Sequence, residues 1–160
     1  MMRYLFHDEN EWKKFKNELL EWVGTPYRHM WNVKGRGADC AQFIGVALIN
    51  AGIMDYYEFE YYSIDWFLHT EREFLIEHIY RNRKYLRDGL DFLELPPNSD
   101  IFRGDYLVFS IKSPKGLGNH SAIAFGDGLM IHATPVRGVT ITRVDSLKRG
   151  LKAIFRIIEA

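Results

Sequence analysis

The hydrophobic pattern of the chain changes its period near residue 97, and this change constrains the fold more than any other feature. Before it, apolar residues recur at three- and four-residue spacing over residues 10–23, 39–51 and 64–86, which is typical of amphipathic helices. After it come five short β-branched or aromatic runs between turn-formers: "DYLVFS", "HSAIAFG", "LMIHAT", "GVTITRV" and "LKAIFRII". Helices followed by strands, without alternation, predict an α+β fold in which N-terminal helices pack on a C-terminal antiparallel sheet.

Length, charge and the lack of long apolar runs exclude several classes of protein. A chain of 160 residues, 47% hydrophobic and 26% charged, suits one well-cored domain. The formal net charge is zero, which argues against an electrostatic nucleic-acid binder. No apolar run approaches the roughly 20 residues of a membrane span, and "MMRYLFHDENEWKK" lacks the pattern of a signal peptide. We therefore expect a single domain, residues 1–160, with no nucleic-acid partner, no membrane span and no signal peptide.

The only cysteine, Cys40, cannot form an internal disulfide and occupies a suggestive position. It follows the glycine-rich "KGRG" loop and stands at the predicted start of the second helix, with Asp39 as the candidate N-cap. Unpaired backbone N–H groups and the positive end of the helix dipole favour a thiolate there. Cys40 is therefore a candidate nucleophile, and an inert cysteine on an apolar helix face is the alternative that this position alone leaves open.

Two histidines, His120 and His132, stand on neighbouring predicted strands joined through "GDG". Side chains alternate along strands, so the loop length decides whether the two rings share a face. A two-residue loop, 127–128, would put them on opposite faces. A three-residue loop, 126–128, would make them diagonal neighbours within hydrogen-bonding reach. With an odd loop the sequence permits a Cys40–His120–His132 relay, in which His120 takes the thiol proton and His132 orients His120.

A zinc site built from the same three residues is the competing interpretation of this set. The chain lacks the paired cysteine or histidine spacings of structural zinc sites. We therefore expect no metal and no cofactor.

Four short blocks, "GTPY", "DC" at a helix start, "RGDYLVF" and "NHSAIAFGDGLMIHA", together resemble the NlpC-type cell-wall cysteine peptidases, also called the p-sixty family. They run in the family's order from about Trp22 to His132 and so cover most of the chain. The resemblance implies a papain-like α+β core and hydrolysis of peptide bonds in bacterial peptidoglycan stem peptides, typically between D-γ-glutamyl and a diamino acid. It also implies that Cys40 is the nucleophile, His120 the base and His132 the third polar residue.

The resemblance extends to the substrate pocket less completely. Tyr27 matches the family's tyrosine after "GTP", which lies beside the active cysteine and positions substrate. Asp39 and Ser121 complete the predicted substrate-binding set. The chain has "DCAQ" where the family commonly has "DCSG", and "SA" after His120 where it more usually has Val-Gly. The tyrosine-rich stretch 56–62 is assigned either to the core or to the lining of the substrate groove.

Two further segments, "YRHM…VKGRGADC" and "YYSIDWFLHTEREFL", resemble the subgroup of this family found in phages and prophages near tail-assembly genes. A long insert, here predicted to be helical at about residues 55–97, is usual in that subgroup. The resemblance implies phage tail proteins as candidate partners, and a cytoplasmic or virion-associated protein that acts at the cell wall. Two other functions stay open: a non-catalytic structural module of a phage tail, and a thiol acyltransferase that uses the same thioester chemistry.

Overall fold

The computed structural model, which describes residues 2–160, contains three α-helices and several short 3-10 helices. The α-helices are α1 (Glu9–Glu21), α2 (Gln42–Asn50) and α3 (Phe74–Asn82). The side chain of Asp8 caps α1, since it accepts hydrogen bonds from the backbone N–H groups of Asn10 and Glu11 at 2.8 and 3.2 Å. The helices α2 and α3 fall within the segments that the apolar periodicity predicts to be helical, and α1 begins one residue before its predicted segment.

The strands form a seven-stranded antiparallel sheet and, apart from it, a two-stranded one. They are β1 (Arg3–Tyr4), β2 (Asn32–Val33), β3 (Gly37–Ala38), β4 (Leu90–Leu95), β5 (Tyr106–Phe109), β6 (His120–Gly126), β7 (Leu129–Thr134), β8 (Gly138–Arg143) and β9 (Leu151–Glu159). The order in the large sheet is β1-β9-β5-β6-β7-β8, and β4 also pairs with β9. The five predicted runs are β5 to β9. The architecture is therefore α+β, as the change of period predicts.

The predicted helical insert at 55–97 contains more than helix. It holds α3 and short 3-10 helices at Trp66–Leu68 and Arg83–Tyr85. It also holds β4, which the sequence analysis did not predict and which pairs with β9 from Leu90 opposite Glu159 to Leu95 opposite Ile154. The end of the insert thus returns the chain to the main sheet, whereas residues 56–63 form neither helix nor strand.

The main core lies between the helices and one face of the large sheet. Its fully buried members include Phe15 and Trp22 from the first helical segment, Phe43 from α2, and Phe155 from β9. A smaller apolar cluster covers the other face, around Phe109, Ala122, Ala124, Met130 and Ile154. Within residues 2–160, no helix has both the length and the apolar character needed to cross a membrane.

Candidate active site

The hairpin that carries the two histidines has a two-residue turn and a bulge. Asp127 and Gly128 form the turn with φ of 55° and 77°, and Gly126 pairs with Leu129. The register shifts between Ala124 and Gly126, so the bulged strand carries one extra residue. The expected three-residue loop is therefore replaced by a shorter turn, and the bulge supplies the odd residue that keeps both histidines on one face.

The two rings are in direct contact. The Nε2 atom of His120 lies 2.8 Å from Nδ1 of His132, and the ring centroids are 5.1 Å apart at an angle of 74°. Beyond them, Nε2 of His132 lies 2.9 Å from the Oγ1 atom of Thr142 on β8. Thr142 is not among the site residues predicted from the sequence, although the alternation of "GVTITRV" places both of its threonines on one face of the sheet.

The sequence suggests that Cys40 lies in the first turn of α2. In the structure it lies two residues before the helix begins. The backbone leaves β3 at Ala38 and turns through Asp39 and Cys40 before the helix begins at Gln42. One oxygen of the Asp39 carboxylate accepts hydrogen bonds from the backbone N–H groups of Ala41 and Gln42 at 3.2 and 2.8 Å. The N-cap position is occupied by Ala41 and not, as predicted, by Asp39, but the hydrogen bonds of Asp39 to the helix start fix the turn on which the thiol stands.

The second carboxylate oxygen of Asp39 joins the cysteine turn to two other segments. It accepts the backbone N–H of Met30 at 2.8 Å and the hydroxyl of Tyr62 from the insert. The Asp39 side chain is only 1% exposed, so its acceptors are used inside the protein. The acid links three segments around Cys40: the loop before it, the helix after it and the insert.

The surroundings of Cys40 and His120 disfavour the charged form of both side chains. Burial, and after it the charge of Asp39, raises the pKa of the Cys40 thiol to about 12, while the backbone N–H groups of Ser121 and Cys40 act in the opposite direction. Burial, and then neighbouring His132, lowers the pKa of His120 to about 3; burial also lowers the pKa of His132. These shifts favour the neutral thiol and the neutral imidazole in the resting site, and not the thiolate expected from the position of Cys40 at a helix start.

An open cavity of about 520 Å³ brings the predicted trio together. Cys40, His120 and His132 all line it, with Tyr27 and Thr142 beside them. Burial raises the pKa of Tyr27, so the phenol stays protonated and can donate a hydrogen bond. All three predicted catalytic residues and one of the three predicted substrate-binding residues thus line the same cavity.

A second, smaller cavity of about 60 Å³ adjoins the first at Cys40 and Tyr27. Most of its remaining lining is aromatic or aliphatic and comes from the insert: Tyr62, Ile64, Trp66, Phe67, Phe74 and Leu75. His29 also lines it, with Nε2 donating to the backbone carbonyl of Tyr62 at 2.7 Å. No Asp, Glu, Lys or Arg of residues 2–160 is among its lining residues. Within the tyrosine-rich stretch, Tyr57 is a core residue, as one of the two expected roles requires, and Tyr62 lines this cavity.

The structure does not bring the side chains of Asp39 and Ser121 to either cavity. Ser121 is fully buried, and its hydroxyl accepts a hydrogen bond from Tyr106 at 2.8 Å. Both side chains support the site through hydrogen bonds inside the protein. The backbone N–H of Ser121, by contrast, acts to lower the pKa of the Cys40 thiol. Residues 2–160 hold no group of three or more His, Cys, Asp or Glu side chains arranged for a metal ion.

Comparison with known proteins finds similarity in structure alone, since no family model and no curated protein matches the chain. The NlpC/p60 domain of the peptidoglycan hydrolase SagA has a TM-score of 0.56 and 19% identity over 89% of this chain and 96% of that domain. The peptidoglycan hydrolase RipB from Mycobacterium tuberculosis has a TM-score of 0.55 and 18% identity, over 95% of this chain and 66% of that one. NlpC1 from Trichomonas vaginalis has a TM-score of 0.61 and 18% identity, over 94% of this chain and 45% of that one.

At these identities the three matches establish a shared fold. The order of helices and strands, the antiparallel sheet and the near-complete coverage of the SagA domain agree with the resemblance found in the sequence. The chain therefore has the papain-like α+β fold of the NlpC/p60 domains.

Proposed function

We propose that this protein is a cysteine peptidase that hydrolyses peptide bonds in bacterial peptidoglycan stem peptides. The observation that carries the proposal is the joint lining of one open cavity by Cys40, His120 and His132, with the two imidazoles hydrogen-bonded to each other. The fold supports it as well, since similar solved structures include the peptidoglycan hydrolases SagA and RipB.

In the proposed reaction, the sulfur of Cys40 attacks the carbonyl carbon of the scissile bond while Nδ1 of His120 takes the thiol proton. The C–N bond then breaks, His120 returns that proton to the leaving amine, and a thioester on Cys40 remains. Water, deprotonated by His120, attacks the thioester, releases the carboxylic acid and restores the thiol. His132 holds the His120 ring in place through both steps.

The substrate bond is proposed to be the one between D-γ-glutamyl and a diamino acid. Stem peptides carry free carboxylates beside this bond. Arg137, which is exposed, is the one Lys or Arg among the described residues that line the open cavity, and no Asp or Glu lines it. A guanidinium can pair with a carboxylate through two parallel hydrogen bonds. This arrangement favours an anionic peptide in the open cavity.

Association with a phage tail remains a prediction from the sequence resemblance. If it is correct, antibodies against the protein will detect it in purified virions of a phage that encodes it. Detection only in the host cytoplasm, away from virions and wall, would count against it.

The direct test of the proposed function is digestion of purified peptidoglycan by the wild-type protein and by Cys40→Ala, with released fragments identified by mass spectrometry. New stem-peptide fragments from the wild type alone are expected, and their masses will identify the bond. No new fragments from either protein would favour the non-catalytic structural module.

A further inference from the structure

The hydrogen-bond chain of the active site does not end at its second histidine. It runs from Nε2 of His120 to Nδ1 of His132 over 2.8 Å, and from Nε2 of His132 to Oγ1 of Thr142 over 2.9 Å. We propose that Thr142 is a positioning residue that sets the tautomer of His132 and, through it, the tautomer of His120. This inference deepens the proposed function, because it concerns how the proposed base is prepared.

Two proton arrangements satisfy these distances. In the first, Thr142 accepts from Nε2–H of His132, whose Nδ1 then accepts from Nε2–H of His120; the Nδ1 lone pair of His120 is left free. In the second, Thr142 donates to Nε2 of His132, and His132 donates from Nδ1 to Nε2 of His120, so that His120 carries its proton on Nδ1. Since His132 occupies Nε2 of His120, only the first arrangement leaves a base for the Cys40 thiol.

The surroundings of Thr142 favour the first arrangement. Thr142 lines the open cavity, so its own hydroxyl hydrogen can be donated toward solvent while the oxygen accepts from His132. His132 is only 3% exposed, and a buried N–H group without an acceptor is costly. Thr142 is thus the acceptor that allows His132 to carry its proton on Nε2.

The same arrangement persists through the proposed reaction. Once His120 has taken the thiol proton, both of its nitrogens carry hydrogen, and Nε2 must donate. His132 must then accept on Nδ1 and donate from Nε2 to Thr142. No proton beyond the one from Cys40 has to move, so the site is already arranged for the charged state before the attack.

Strand pairing explains why Thr142 is held so well. In the β7–β8 ladder, His132 is paired with Thr140 and Met130 with Thr142, so Thr142 is the diagonal neighbour of His132 on the same face. A threonine in a strand has a restricted χ1 angle. The hydroxyl is therefore directed by backbone pairing and by a stiff side chain together.

The test compares Thr142→Val, which keeps the shape and removes the hydroxyl, with Thr142→Ser, which keeps the hydroxyl. Imidazole nitrogen chemical shifts of ¹⁵N-histidine-labelled protein report the tautomers, with His120→Gln and His132→Gln used for assignment. In the wild type and in Thr142→Ser we expect both rings to be protonated on Nε2. In Thr142→Val we expect protonation of His120 to shift toward Nδ1, and kcat on peptidoglycan fragments to fall about tenfold with KM unchanged, the effect of losing one buried hydrogen bond.

Unchanged histidine tautomers in Thr142→Val, or a fall in kcat that Thr142→Ser shares, would overturn the inference. If Thr142→Val does not fold, Thr142→Ala and Thr142→Ser form the same comparison. The nitrogen shifts are measured on resting protein without substrate, so they decide the tautomers even if the wild type cleaves no peptidoglycan. In that case the proposed function would fail while this inference is still judged on its own result.

Discussion

The two walls of the candidate active site are built on different principles. The sheet wall is made by β6, β7 and β8, which carry His120, His132 and Thr142. Backbone pairing, with one bulge between β6 and β7, fixes the direction of each of these side chains. The insert wall is made by residues 56–75, where backbone pairing is largely absent and only one short 3-10 helix occurs before α3 begins.

Side chains take the place of backbone pairing in the insert wall. The Tyr62 hydroxyl donates to Asp39, and Asn82 both accepts from the backbone N–H of Glu58 at 2.6 Å and donates to its carbonyl at 3.3 Å. The Tyr57 ring packs against Gly45 of α2 so closely that an added Cβ would lie 2.7 Å from the ring. Substitutions in the sheet wall should therefore cost activity, and those that loosen the insert wall should cost stability.

The largest expected effect comes from the sheet wall. His120→Gln removes the proposed general base and should lower kcat by a factor on the order of a thousand. The free energy of unfolding should change by less than about 1 kcal/mol, because backbone hydrogen bonds, which the substitution leaves in place, hold β6 in the sheet. Steady-state kinetics and urea denaturation measure the two quantities. His7→Gln, an exposed histidine far from the site, is the control; equal activity of the two variants would contradict the assignment.

The next effect concerns the link between the two walls. In the wild type, the two carboxylate oxygens of Asp39 accept hydrogen bonds from four donors. Asp39→Asn leaves one acceptor oxygen and places an amide NH₂ group against N–H or O–H donors. Stability should fall by about 2–3 kcal/mol. Because the charge of Asp39 raises the pKa of Cys40, its removal should lower that pKa.

Urea denaturation and the pH dependence of iodoacetamide alkylation check both parts of the Asp39→Asn prediction. Asp8→Asn is the matched control, since asparagine caps a helix as well as aspartate does. A stability equal to that of the control, or an alkylation midpoint moved to higher pH, would contradict the account of the cysteine turn.

A smaller effect is expected where the insert wall packs on α2. Gly45→Ala forces a methyl group against the Tyr57 ring, and overpacking of this kind costs about 1–3 kcal/mol, offset in part by the better helix propensity of alanine. Thermal denaturation of single and double variants tests this. With Tyr57→Leu already in place, Gly45→Ala should be neutral or stabilising; the same loss in both backgrounds would show that the ring contact is not the cause.

The smallest effect at neutral pH belongs to His78, whose buried Nδ1 has no hydrogen-bond partner among the described residues. Burial lowers its pKa to about 4, so the unfolded chain binds a proton between pH 6.5 and 4 that the folded protein does not. Stability should fall as the pH drops through this window, by up to about 1.4 kcal/mol per pH unit. His78→Leu should leave the free energy of unfolding at pH 7 nearly unchanged and make it depend less on pH between 6.5 and 4. An identical pH dependence in the two proteins would contradict this prediction.

The sheet wall could be predicted from sequence better than the insert wall, because alternation is a local property. The pattern around His120 and His132 was sufficient to show that a shared face requires an odd residue, which the bulge at Phe125 supplies. The partner of Tyr62, by contrast, lies 23 residues earlier in the chain and is chosen by tertiary packing. Residues 56–63 have no period that would reveal such a contact, and β4 is explained only by the presence of β9 beside it.

The most direct test of the central claim is the mass of the intact protein after brief incubation with a soluble stem peptide and acid quenching. The account predicts an adduct equal to the acyl half of the cleaved peptide, located on Cys40, absent from Cys40→Ala and lost on longer incubation. If the peptide is cleaved without any adduct, and Cys40→Ala still cleaves it, then Cys40 is not the nucleophile.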